Sequence, residues 1–86
     1  MNIRTTSSFD KKLKKKISKK PKLKDKISKQ TKLLTQNIKH PSLKVHKLKG
    51  SHQLDYAFWI EDDLRIIFKI IDNNIIFTNL ITHDEY

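Results

Sequence analysis

The sequence predicts a small α+β domain: an N-terminal helical hairpin packed on one face of a mostly antiparallel sheet. Three observations predict it. Between Phe9 and Ile38 the apolar residues recur at helical spacing. From Leu43 onward, β-branched and aromatic residues gather in short runs separated by Asp62-Asp63 and Asn73-Asn74. The few breakers, Pro21, Pro41 and Gly50, fall between these segments rather than inside them. At 86 residues there is room for a single domain, 1–86, with one core and one shallow site. A chain of that size buries roughly 60% of its unfolded surface.

Ile3 to Thr6 reads as a short first strand. Ser7 then fits a helix N-cap, with Asp10 at the third helical position as a capping-box variant. Phe9, Leu13 and Ile17 recur every four residues and mark the buried face of this helix, whose other positions are mostly lysine. Pro21 is placed to open a second helix, since proline is tolerated in a first turn. Leu23, Ile27, Leu34 and Ile38 continue at helical spacing, and Pro41 disfavours helix at His40. Neither amphipathic helix is stable alone in water, so both must cover something apolar.

The second half supplies that surface. Leu43 to Lys49 alternates as a strand. Tyr56 to Ile60, Leu64 to Ile71 and Ile75 to Ile81 follow, joined by turns at Asp62-Asp63 and Asn73-Asn74. This makes about four or five strands in all. Leu64, Ile66, Phe68 and Ile70 share one face, and Arg65 and Lys69 lie on the other, which must be partly wet.

Composition narrows the function classes. There is no cysteine, which excludes disulfides, thiolate chemistry and Cys-based zinc sites. His40, His46, His52 and His83 show no paired ligand spacing, so no metal site is expected. Nucleotide-binding, P-loop and serine-nucleophile fingerprints are absent, and no cofactor is expected. No apolar run is long enough to span a membrane, and no secretory leader is visible, so the expected location is cytoplasmic. The net charge is +10, unevenly spread. Arg4 and sixteen lysines against Asp10 and Asp25 give residues 1–49 a formal +15, whereas residues 50–86 carry −5. Such a cationic half attracts polyanions: nucleic acid, an acidic protein partner, or both. Lysines merely filling solvated helix faces are the plainer reading.

A turn at Asn73-Asn74 would set Leu64 opposite His83, Asp63 opposite Asp84 and Arg65 opposite Thr82. The turn at Asp62-Asp63 brings Trp59 close to Arg65. Asp63, Arg65, Trp59 and His83 then gather at one end of the sheet, with His46 able to line the same side. Two histidines, a carboxylate and an arginine suit RNA cleavage. The 2′-hydroxyl must lose a proton, the leaving 5′-oxygen must gain one, and the phosphorane needs a fixed cation. Spacing alone equally permits a turn aspartate, a core tryptophan and unremarkable surface histidines.

Four stretches resemble the RelE/ParE superfamily of type II toxin–antitoxin toxins: Ser8 to Lys12, His46 to Gly50, Tyr56 to Phe68 and Ile81 to Tyr86. The chain is most similar to the YafQ-like ribosome-dependent endoribonucleases, in which His46, Asp63 and His83 fall at matching places. Trp59 stands where that branch has another histidine, and Arg65 matches an arginine that RelE-type members use against the scissile phosphate. The resemblance implies a RelE-like, microbial-RNase-like fold and an mRNA interferase. His46, Asp63, Arg65 and His83 would be catalytic. Trp59, Lys47, Lys49 and Lys69 would contact substrate. The implied partners are a cognate antitoxin, mRNA and the ribosome. A ParE-like gyrase inhibitor and a decayed binding module are the alternatives.

Overall fold

The computed structural model describes residues 2–48 and 55–82. Strand β1 (Asn2–Thr5) leads into α1 (Ser7–Lys19) and α2 (Leu23–Gln36). A 3-10 turn (Pro41–Leu43) and strands β2 (His46–Lys47), β3 (Tyr56–Glu61), β4 (Leu64–Ile71) and β5 (Asn74–Ile81) complete the chain. The five strands form one sheet in the order β1-β5-β4-β3-β2. β1 runs parallel to β5, and every other pairing is antiparallel.

Both helices cover one face of this sheet, α1 over β5 and α2 over β3. Phe9 from α1 and Leu23, Ile27 and Leu34 from α2 enter a core with Phe58, Ile60, Ile66, Phe68, Ile75, Phe77 and Leu80. Its centre is aromatic. Phe9 meets Phe77 edge-on at 5.4 Å, and Phe58 lies 5.7 Å from Phe68 and 5.5 Å from Phe77. Offset and edge-on pairs of this kind add to the stabilisation from burial. On the opposite face Ala57, Ile67 and Ile81 form a smaller buried cluster against Leu48. That face is therefore partly dry as well as carrying Arg65 and Lys69.

Several boundaries differ from those predicted. The α1 N-cap is Thr6, not Ser7: its Oγ1 accepts from the Phe9 N–H at 3.2 Å. Thr6 is also tied to β5 through its N–H on the Phe77 carbonyl, so tertiary pairing chose the cap. α2 begins at Leu23 because Lys20, Pro21 and Lys22 make the preceding turn, with Leu23 N–H donating to the Lys20 carbonyl. It ends at Gln36, before Ile38. Asn37 turns extended, and its side-chain oxygen takes the Lys39 N–H at 3.1 Å, a local bond that competes with helix.

The predicted strand over Leu43 to Lys49 shrinks to His46–Lys47. His40 caps the 3-10 turn by accepting from the Ser42 N–H, and Lys44 adopts a left-handed φ of 49°. Leu43 is thereby sent into the core. The last hairpin turns at Asp72-Asn73, one residue earlier than predicted, because Asp72 takes the left-handed φ of 55° and Asn74 pairs with Ile71. A bulge follows, with Ile67 opposite Asn79 and Phe68 opposite Phe77. The extra residue, Thr78, donates its hydroxyl to the Ile67 carbonyl. Arg65 consequently faces Ile81, not Thr82. The predicted partners His83 and Asp84 lie outside the described residues.

Candidate active site

The short β3–β4 turn creates the site's centre. Asp62 takes a left-handed φ of 47°, a conformation aspartate tolerates better than most residues. This closes the hairpin so that Trp59 stands directly opposite Arg65. Directly opposed residues share a face. Trp59 Nε1 donates to the Asp62 carbonyl at 2.8 Å, and Arg65 Nη1 donates to the same oxygen and to the Leu64 carbonyl, each at 3.3 Å. The half-buried guanidinium is thus held by neutral acceptors and keeps its full charge and most of its donors for a ligand.

The next cross-strand row holds His46, opposite Ala57, which in turn faces Ile67. Ala57 and Trp59 are two residues apart on β3, about 7 Å along the strand. His46 therefore lies on the Arg65 face, one row away. It is exposed, with Nδ1 3.0 Å from the Lys44 carbonyl. A carbonyl only accepts, so Nδ1 carries the hydrogen. That tautomer leaves Nε2 as the acceptor, as a proton-abstracting histidine requires. His40 has the complementary arrangement: its Nδ1 accepts from a backbone N–H, a structural use of the ring.

Asp63 is exposed in the turn. It lines a groove of about 240 Å³ with Lys16, Lys19, Lys20, Glu61 and Thr82. Lys20 pairs with Glu61 across this groove at 2.5 Å, and the hydrogen bond to that carboxylate raises the lysine pKa. Lys47 is exposed and alternates to the other side of β2 from His46. Lys69 is four residues along β4 from Arg65, about 13 Å, and is paired with Asp55 at 2.6 Å. The strands thus gather Trp59, Arg65 and Asp63 at one end, place His46 beside them, and carry Lys69 away. Lys49 and His83 lie outside the described residues. Thr82, immediately before His83 in the sequence, reaches the Asp63 groove.

Three residues here escaped the sequence reading. Lys26 from α2 and Lys44 from the β2 approach set their ammonium groups 5.4 Å and 4.9 Å from the Trp59 ring centroid. Gln30 is buried at 1% exposure and donates to the Trp59 carbonyl at 3.0 Å and the Ser42 carbonyl at 3.4 Å. Its signal was available: a polar residue within the Leu23, Ile27, Leu34 stripe. Among the described residues no His, Cys, Asp and Glu group suits a metal ion, and no helix is long and apolar enough to cross a membrane.

Comparison with known proteins places this geometry in context. The family model described as "Bacterial toxin of type II toxin-antitoxin system, YafQ" matches residues 1–86. No curated protein sequence matches the chain significantly. Among solved structures it is similar to YafQ from E. coli strain BL21(DE3), with 24% identity, a TM-score of 0.80 and coverage of 98% of this chain and 94% of that one. The E. coli DinJ–YafQ complex gives 26% identity, a TM-score of 0.78 and coverage of 98% and 94%. The Staphylococcus aureus YoeB–YefM complex gives 23% identity, a TM-score of 0.78 and coverage of 96% and 97%. The α+β fold, two helices on a five-stranded mixed sheet, is the fold of these toxins.

Proposed function

Because this chain belongs to the YafQ family of bacterial type II toxin–antitoxin toxins, we propose that it is an endoribonuclease that cuts mRNA in the ribosomal A site and so stops translation. The observation that carries this reading is Arg65. Its guanidinium is half-buried beside the hairpin turn, anchored on two carbonyl oxygens and neutralised by no carboxylate among the described residues. A fixed cation of this kind suits the charge that develops on a phosphorane.

The remaining roles follow from chemistry. His46 Nε2 takes the 2′-hydroxyl proton, and Asp63 supports that base electrostatically. His83 protonates the leaving 5′-oxygen or holds the phosphate. Products then end in a 2′,3′-cyclic or 3′-phosphate. Trp59 borders the substrate, Lys47, Lys49 and Lys69 contact its more distant phosphates, and the lysine-rich helices dock on ribosomal RNA backbone, which positions without reading sequence. The toxin acts in the cytoplasm. Its protein partner is an antitoxin, as DinJ and YefM accompany the toxins in the two complexes, with an acidic or disordered segment that covers the basic surface.

The test is induced expression without the antitoxin. Translation and growth should stop while DNA stays intact. Normal translation with accumulating DNA breaks would replace this reading with gyrase poisoning.

A further inference from the structure

The Lys26–Trp59–Lys44 cluster has a feature that a solvated lysine surface lacks. Two ammonium groups from different elements converge on one indole, at 5.4 Å and 4.9 Å from its centroid. The two nitrogens can be no further apart than those distances combined. Neither is paired with a carboxylate among the described residues. Like charges brought together without a counterion repel, and the ring's negative face offsets that repulsion only in part. An anion between or beside them would remove it.

The backbone is organised for the same result. Lys44 holds a left-handed φ of 49°, a strained conformation for a residue with a long unbranched side chain. Its carbonyl accepts from His46 and its N–H donates to the Pro41 carbonyl. Gln30, one helical turn beyond Lys26, pins α2 to the Trp59 carbonyl. The indole is itself fixed by its bond to the Asp62 carbonyl. A depression of about 450 Å³ lined by Ile38, Lys39, His40, Pro41, Lys44 and Val45 opens beside the cluster.

We propose that Lys26 and Lys44, held by the Trp59 ring, form a phosphate clamp for single-stranded RNA next to Arg65. In this clamp Trp59 acts as a positioning residue for the two cations, not as a platform on which a base stacks. The proposal rests on the reading that RNA is the substrate. It adds two residues and changes the role of a third. RNA fits better than an acidic peptide because phosphates recur along its backbone at short intervals, matching two neighbouring cations.

The test is binding of a fluorescently labelled 2′-O-methyl RNA oligonucleotide, which cannot be cleaved through its 2′-position. Affinity is measured between 50 and 200 mM salt. Each phosphate contact in a single strand contributes about 0.7 to the slope of log K against log salt. Lys26→Gln and Lys44→Gln should each lower the slope by about 0.7. Arg4→Gln, at an exposed cation on β1 at the far edge of the sheet, should leave it unchanged. Trp59→Leu should lower slope and affinity together. If Trp59→Leu weakens binding with an unchanged slope, the ring stacks on a base and the clamp is wrong. If Arg4→Gln lowers the slope as much as Lys26→Gln, the basic residues act as a diffuse cloud. If the lysine variants lose antitoxin affinity and keep the RNA slope, the cluster serves the protein partner. An unmodified toxin with no RNA affinity overturns the clamp outright. Wild-type cleavage on programmed ribosomes, run in parallel, separates the two claims: clamp slopes without cleavage remove the nuclease reading and leave the clamp standing.

Discussion

Trp59 and Arg65, directly opposed on neighbouring strands, share one acceptor: both donate to the Asp62 carbonyl oxygen, at 2.8 Å and 3.3 Å. Because the oxygen is shared, Arg65 can be removed with the Asp62 carbonyl still satisfied, and only its 3.3 Å bond to the Leu64 carbonyl is lost. In Arg65→Ala the indole N–H still satisfies Asp62. The variant should melt within about 1 kcal/mol of wild type, as partly exposed substitutions do. Its cleavage rate should fall about 10²–10³-fold, the typical effect of losing one preorganised charge or donor. A melting curve beside a cleavage assay checks both. Unfolding of the variant would mean that Arg65 is structural.

His46 is held as the Nδ1–H tautomer by the Lys44 carbonyl. Glutamine at 46 can make a similar hydrogen bond but cannot accept and release a proton near neutral pH. His46→Gln should therefore lower cleavage about 10²–10⁴-fold, with ribosome binding retained. His83→Gln should do comparable damage. Wild-type cleavage by either variant would remove that residue from proton transfer.

Gln30 serves two carbonyls from within the core. Among the described residues, β2 covers only Tyr56 and Ala57 of β3, so the Trp59 carbonyl at this edge depends on the side chain. Gln30→Leu keeps the volume and removes the donor. It should cost about 1–3 kcal/mol, or about 4–8 °C of Tm per kcal/mol for a domain this small. A Tm equal to wild type would mean that water replaces the amide.

Thr6 caps α1 and joins it to β5. Thr6→Ala should destabilise by about 0.5–2 kcal/mol, and Thr6→Ser, which keeps the hydroxyl, should restore most of it. Equal melting of Ala and Ser variants would show that the backbone bond to Phe77 sets the helix start by itself.

These sites also show what the sequence made legible. Opposition of Trp59 and Arg65 was readable because Asp62-Asp63 is short and lies between two unambiguous β runs. The last hairpin was misplaced by one residue because Asp72, Asn73 and Asn74 are all turn-competent, and only pairing of Asn74 with Ile71 decides among them. The bulge at Thr78 leaves no mark in an apolar pattern. Leu43 to Lys49 alternates like a strand, yet His40 capping and the left-handed Lys44 turn half of it aside. Tertiary pairing also moved the α1 cap from Ser7 to Thr6. The Lys26–Trp59–Lys44 cluster joins three elements distant in sequence, and among so many lysines no local signal singles out these two.

The central claim is cleavage of ribosome-bound mRNA by this chain's own acid–base set and Arg65. Programmed ribosomes carrying a defined codon in the A site, mixed with purified toxin, test it most directly. The account requires a cut within that codon, upstream fragments ending in a 2′,3′-cyclic or 3′-phosphate, and a loss of about 10²–10³-fold in rate with Arg65→Ala. Intact mRNA after prolonged incubation, or wild-type cleavage by the Arg65→Ala protein, would contradict it.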